Sequence, residues 1–115
     1  MSKPVTAFKV LTADQMTALE ADAFESAPVD VADGYIHLST AEQLTDTVDK
    51  HFAGQDDLWV AAVDLEALGG SVKWEEARGG QLFAHIYGAL PLSAVTAYGP
   101  LKRDADGKVR LPVAG

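Results

Sequence analysis

The residues of this chain that could carry chemistry begin with a histidine placed just before two hydroxyl side chains. His37 lies in a short segment that is predicted to be a strand, and Ser39 and Thr40 follow it. Two overlapping capping boxes, Ser39/Glu42 and Thr40/Gln43, predict that a helix starts here. Because the backbone amides at a helix start attract phosphates and carboxylates, this arrangement indicates a binding site for an anion.

The same residues also have a structural explanation, which the sequence leaves open. Capping alone accounts for the hydroxyls of Ser39 and Thr40, and His37 would then be a half-buried, hydrogen-bonded residue. His51, near the end of the second predicted helix, is interpreted as structural because the helix dipole stabilises an imidazolium there.

A second group of polar residues follows later in the chain. Glu75 closes an alternating strand, and Arg78 opens a Gly-Gly loop from which a guanidinium can bind a phosphate or carboxylate with two hydrogen bonds. His85 and Tyr87 share one face of another short strand. The structural alternative is a surface ion pair of Arg78 with Glu75 or Glu76, beside a histidine at the edge of the core.

The elements that must position these residues are predicted to be two helices and five to seven strands. The first helix begins after Thr12, which forms a capping box with Gln15, and runs to about Ser26. The second follows Thr40, with Gly54 as its C-cap. The continuous apolar run 58–65 is predicted to be a central strand. Other predicted strands are 7–11, 34–39, 71–75, 82–87, 94–98 and 109–113, the last following a turn at 104–107.

Length and composition define the class of protein. The chain has 115 residues, of which 48% are hydrophobic and 23% charged, so we expect one soluble globular domain spanning residues 1–115. Nine Lys and Arg against 17 Asp and Glu give 9 − 17 = −8. This acidic balance argues against nucleic acids and anionic membranes as partners, because binding them requires Lys and Arg.

The lack of cysteine and the spacing of the histidines exclude further kinds of site. The chain has no Cys, which excludes disulfides, thiolate nucleophiles and Cys-based metal centres. The three histidines lack the helical i, i+4 spacing of a zinc motif, so we expect no metal. The first residues lack the apolar core of a signal peptide, and no apolar run is long enough to span a membrane. The expected location is therefore the cytoplasm.

Four stretches of the chain form a recognisable pattern. They are DGYIHLSTAEQ at 33–43, HFAG at 51–54, WE at 74–75 with RGG at 78–80, and FAHIYG at 83–88. Together they resemble the small bacterial family known as domain of unknown function 952, over nearly the whole chain from Phe8 to Leu101. The family usually has a proline before the histidine of its last motif, where this chain has Ala84.

The resemblance implies a fold similar to that of the ADP-ribosyltransferases, which include the RNA 2′-phosphotransferases. We therefore expect an α+β fold with two N-terminal helices packed on a bent, mostly antiparallel, split β-sheet that holds NAD. By this resemblance His37 would bind the adenosine-side ribose, while Ser39 and Thr40 would hold the nicotinamide half. Arg78 would bind the pyrophosphate, and Tyr87 is a further candidate cofactor contact.

The chemistry implied is breakage of an N-glycosidic bond. A carboxylate commonly assists by binding a ribose hydroxyl or activating the acceptor. Glu75 is the candidate, with Glu76 as its substitute and His85 as its catalytic partner. The transferases normally carry their catalytic glutamate in a late strand, and after His85 this chain has only Asp104 and Asp106 as acids.

Three functions therefore stay open from the sequence. The first is an NAD-using enzyme that transfers ADP-ribose, or a phosphotransferase-like enzyme that relies on Arg78, His37 and His85. The second is a module that binds a small nucleotide or anion without turnover, which the missing late glutamate favours. The third is a structural or partner-binding domain. The sequence does not indicate the oligomeric state.

Overall fold

Residues 5–22, 35–55, 57–76 and 80–112 are described by a computed structural model of the chain. These residues form an α+β fold, as predicted. Its elements in chain order are β1 (Thr6–Thr12), α1 (Ala13–Glu20), β2 (Ile36–His37), α2 (Leu44–His51), β3 (Leu58–Asp64), α3 (Leu65–Leu68), β4 (Val72–Glu76), β5 (Leu82–Ile86) and β6 (Val95–Pro100), with short 3₁₀ helices at Gly69–Ser71 and Leu92–Ala94.

Within the described ranges, the strands form two separate antiparallel sheets of three strands each. The first sheet has the order β1-β3-β6 and the second has the order β2-β5-β4. The prediction of a central strand at 58–65 is confirmed, because β3 is the middle strand of the first sheet. The sheets are joined where Phe8 of β1 pairs with Ser39, with N···O distances of 2.7 and 2.9 Å in the two directions.

Two apolar clusters arrange these elements in layers. In the larger one, the inner face of the second sheet packs on one face of the first sheet and on α1; its buried residues include Ala7, Leu11, Met16, Leu19, Ile36, Ala61, Val63, Ala84 and Ile86. In the smaller one, α2 covers the opposite face of the first sheet; its buried residues include Phe8, Val10, Leu44, Val48 and Val60. The outer face of the second sheet belongs to neither cluster and carries most of the polar side chains of its strands.

The start of α1 follows the prediction, but its end does not. The capping box forms, since Gln15 N donates to Thr12 Oγ1 and Thr12 N donates to Gln15 Oε1. The helix ends at Glu20 rather than near Ser26, because Asp22 adopts a left-handed conformation with φ of 56°. The Asp22 carboxylate then accepts a hydrogen bond from Leu92 N, a distant contact that no local pattern indicates. Residues 23–26 lie outside the described ranges.

Only one of the two predicted capping boxes before α2 forms. Thr40 and Gln43 exchange both hydrogen bonds of the box. The Ser39–Glu42 box was wrong, because the Ser39 hydroxyl instead hydrogen-bonds the Thr47 hydroxyl at 2.7 Å. The helix begins at Leu44 rather than directly after Thr40, because residues 41–43 form a turn that the Thr40–Gln43 box closes. It ends at His51 with Phe52 as its C-cap, so the prediction of Gly54 as the C-cap was wrong; Gly54 lies two residues further on, with φ of 77°.

Two further differences concern short elements. The helix α3, capped by the Asp64 carboxylate through Glu66 N, follows β3 directly and was not predicted. The predicted strand at 109–113 reduces, within the described residues, to one bridge between Arg103 and Val109. The turn before it forms as predicted, with Gly107 at φ of 88°.

Candidate functional site

The strand register of the second sheet brings the two candidate histidines together. His85 on the central strand β5 lies directly opposite His37 on β2 and directly opposite Lys73 on β4. Directly opposed residues point to the same face of a sheet. The alternate residues of these strands face the core, and Ile36 and Ile86 are fully buried there.

We call the outward side the polar face of the second sheet. Its polar and aromatic members are Tyr35, His37, Lys73, Glu75, His85 and Tyr87. The buried side chain of Phe83, directly opposite Glu75, belongs to the same face. Four of the predicted site residues, His37, Glu75, His85 and Tyr87, therefore converge on one surface.

The Glu75 carboxylate is the centre of the hydrogen bonds on this face. Its Oε1 atom accepts one bond from His85 Nδ1 at 2.8 Å and one from the Tyr87 hydroxyl at 2.7 Å. These two hydrogen bonds hold the pKa of Glu75 below its ordinary value, and the bond from Tyr87 has the larger effect. Glu75 is thus a carboxylate at neutral pH, and the bond places the Nδ1 proton on His85. The Glu75 side chain is 39% exposed, whereas that of His85 is 4% exposed.

Aromatic rings surround this carboxylate. The Tyr35 ring stacks on the His85 ring, with centroids 4.0 Å apart and planes 23° apart. It also contacts His37 at 4.8 Å and Tyr87 at 5.3 Å, in both cases with tilted planes. The two histidine rings meet edge to face at 5.4 Å. Tyr35 is therefore the ring that connects the others and covers His85.

Sequence reasoning missed Tyr35 and Lys73 as members of the site. The alternation of 35–38 already indicated that Tyr35 shares a face with His37, which was the available signal for it. Lys73 has its ammonium nitrogen 5.4 Å from the centre of the Tyr87 ring. The alternation of 71–75 likewise indicated that Lys73 shares a face with Glu75, and the pairing of β4 with β5 places it beside His85.

The remaining predicted site residues are placed elsewhere. Ser39 is buried; its hydroxyl is hydrogen-bonded to the Thr47 hydroxyl, and its backbone is hydrogen-bonded to that of Phe8. The Thr40 hydroxyl accepts from Gln43 N, so capping accounts for it. Their proposed contacts with a cofactor stay predictions. Arg78 lies outside the described residues.

Glu76, the substitute for Glu75, lies next to it at the exposed end of β4. It pairs with Leu82, so strand alternation directs it to the opposite face from Glu75. Of these two neighbouring carboxylates, Glu75 is the one that accepts a hydrogen bond from His85.

The described chain has one further concave surface of note, away from the polar face. This open groove of about 480 Å³ is lined by Ala41, Thr45, Asp104, Lys108, Val109, Arg110 and Leu111. Its Arg110 is ion-paired with Asp104. Across the described ranges, no three metal-binding side chains are grouped as an ion would require. None of the helices described is both long enough and apolar enough to cross a bilayer.

The hydrogen bond between Glu75 and Tyr87 leads to a titration prediction. This bond raises the pKa of Tyr87 from 10.0 to about 12, so its stabilising contribution is lost as the pH rises from 10 toward 12. In Glu75→Gln, the pKa of Tyr87 should fall back toward 10, as measured by the ¹³C shift of the tyrosine Cζ. The matched control is Glu20→Gln, which should lower the raised pKa of Tyr98 and leave Tyr87 unchanged. An unchanged pKa of Tyr87 in Glu75→Gln would show that the hydrogen bond between Glu75 and Tyr87 does not form in solution.

Comparison with known proteins gives matches of two kinds. Residues 10–98 match a family model described as a protein of unknown function, DUF952. The chain is also similar to protein CC0527 from Caulobacter crescentus. The crystal structure of that protein is 43% identical, with 91% of this chain and 93% of that chain covered and a TM-score of 0.82. Its solution NMR structure is 44% identical, with 92% of this chain and 91% of that chain covered and a TM-score of 0.76. A search of curated proteins gives no match.

Proposed function

Because the chain belongs to DUF952, a family of proteins of unknown function, we propose from its own residues that the polar face of the second sheet binds a small nucleotide. NAD is the first candidate. An ADP-ribosyltransferase-like fold and a cytoplasmic location are parts of the same proposal. The α+β fold with two antiparallel sheets supports the first of these.

One observation carries the proposal: an ionised, partly exposed carboxylate stands among aromatic rings on a sheet face that lies outside both apolar clusters. Glu75 can accept hydrogen bonds from ribose hydroxyls, because its Oε2 atom takes no part in the bonds to His85 and Tyr87. The half-buried rings of Tyr35 and His37 offer flat surfaces for the ring of a base. These residues fit the ribose and ring parts of NAD.

The residues also suit an ADP-ribosyl transfer. In that reaction the bond from ribose C1′ to the nicotinamide nitrogen breaks and its electron pair leaves with neutral nicotinamide. The oxygen of an acceptor hydroxyl bonds C1′, and the proton of that hydroxyl passes to solvent. Glu75 would hold a ribose hydroxyl and stabilise the positive charge that develops on the ribose. The lowered pKa of Glu75 suits this role and not that of a proton donor. His85, bonded to Glu75 through Nδ1, would keep the carboxylate ionised and oriented.

Binding without turnover is the second candidate function. It is favoured by the burial of His85, whose ring is covered by Tyr35 and cannot reach a reacting atom in this arrangement. It also agrees with the lack of a late-strand glutamate. The two candidates share the same binding face and differ in the release of nicotinamide.

An NMR titration of the labelled protein with NAD, ADP-ribose and inorganic phosphate tests the proposal. Amide shifts grouped at residues 35–38, 73–76 and 82–87 are expected with NAD. Shifts with phosphate alone would indicate an anion site and overturn the nucleotide proposal. No shifts at millimolar concentrations would also overturn it. Once binding is found, an assay for free nicotinamide separates transfer from binding without turnover.

A further inference from the structure

We propose that the polar face of the second sheet receives the positively charged ring of its ligand. This inference rests on the proposed function and names the part of the nucleotide that is recognised. It predicts that the site prefers an oxidised, cationic nicotinamide ring over the reduced, neutral ring. The preference would come from the aromatic side chains together with one carboxylate.

The first argument is the ring arrangement. Three aromatic side chains of the face, Tyr35, His37 and Tyr87, remain partly exposed. The ring plane of His37 is tilted by 51° to that of Tyr35, and the ring plane of Tyr87 by 45°. The faces of aromatic rings carry partial negative charge, so a group of them attracts cations that are large and weakly hydrated. Pyridinium and quaternary ammonium groups are cations of this kind.

The second argument is that this face already holds a cation on a ring. The Lys73 ammonium lies 5.4 Å from the centre of the Tyr87 ring, within the range of a cation–π contact. The chain therefore shows that the Tyr87 ring accepts a positive charge at this place. A ligand cation would compete with Lys73 for the same ring.

The third argument is electrostatic. Glu75 is ionised and donates nothing, because its pKa is lowered by the hydrogen bonds from Tyr87 and His85. A carboxylate beside aromatic rings adds direct attraction for a cation and disfavours an anion. The formal charge of −8 over the whole chain acts in the same direction.

The first arm of the test compares ligands that differ in charge but little in shape. The probes are NAD⁺ against NADH, 1-methylnicotinamide against nicotinamide, and choline against 3,3-dimethylbutanol. Dissociation constants are taken from NMR shifts at Tyr35, His37 and Tyr87. The cationic member of each pair is expected to bind about 3- to 30-fold more tightly.

The second arm uses variants of the protein. Tyr87→Leu should reduce the preference for the cation, and Lys73→Met should strengthen cation binding, because the competing ammonium is gone. Tyr98→Leu is the matched control, because Tyr98 is also an exposed tyrosine whose hydroxyl is bonded to a carboxylate, that of Glu20. This variant should leave the preference for the cation unchanged.

The outcomes separate this inference from the proposed function. Equal binding of NAD⁺ and NADH overturns the inference and leaves nucleotide binding in place. Binding of 1-methylnicotinamide and choline without binding of NAD⁺ supports a cation site and overturns the nucleotide proposal. A preference for cations that persists in Tyr87→Leu and is unaffected by Lys73→Met overturns the role given to this ring.

Discussion

Replacing Glu75 by glutamine is expected to weaken NAD binding at least tenfold while the protein stays folded. The amide oxygen of glutamine can still accept the bond from His85 Nδ1, so the buried imidazole keeps a partner. The charge is lost, and a hydrogen bond to a charged acceptor is roughly twice as strong as one to a neutral acceptor, which corresponds to a loss of about tenfold in affinity. Isothermal titration measures the dissociation constant, and urea denaturation measures the free energy of unfolding.

Glu76→Gln is the control for this prediction, since Glu76 is the neighbouring exposed carboxylate that alternation directs away from the histidines. It should bind NAD like the unmodified protein. Equal binding by both variants would remove Glu75 from the ligand contacts. A clearly lower urea midpoint for Glu75→Gln than for Glu76→Gln would instead indicate a structural role of Glu75. Because its pKa is lowered in the fold, the stabilising contribution of Glu75 should disappear as the pH falls through that lowered value.

The second large effect concerns stability. Ile86→Ala is expected to lower the free energy of unfolding by about 2–5 kcal/mol. Ile86 is fully buried on the central strand of the second sheet, opposite Ile36 on β2 and Val72 on β4. Removing its side chain leaves a cavity under all three strands, which urea denaturation detects as a lower midpoint.

Leu82→Ala is the comparison for this variant. Leu82 lies on the same strand but is 44% exposed, so its removal should change the free energy of unfolding by no more than about 0.5 kcal/mol. A similar small change for Ile86→Ala would contradict the packing of the second sheet on the first.

Local patterns predicted the parts of the fold that depend on neighbouring residues. The capping boxes at Thr12 and Thr40 form, and the apolar run at 58–65 is a central strand. The predictions failed where a distant partner competes. Ser39 hydrogen-bonds Phe8 of β1 through its backbone and Thr47 through its hydroxyl, instead of forming a capping box with Glu42. The Asp22 carboxylate accepts a hydrogen bond from Leu92 N, and the helix ends before it.

The candidate site shows the same division. His37, Glu75, His85 and Tyr87 were chosen from residue type and alternation, and the structure brings them together. That His37 lies opposite His85 depends on the pairing of β2 with β5, which joins segments far apart in the sequence. The burial of His85 under Tyr35 follows from this same pairing, so the sequence alone could not reveal it.

The strand order β2-β5-β4 has a consequence for how the site is assembled during folding. Strands β4 and β5 are close in sequence, so their pairing closes a short loop and brings Glu75, His85 and Tyr87 together early. Strand β2 must close a much longer loop before it adds Tyr35 and His37. We therefore expect a folding chain to form the hydrogen-bonded half of the site first and to acquire its aromatic cover last. A chain still being synthesised would have no complete site until β5 had left the ribosome.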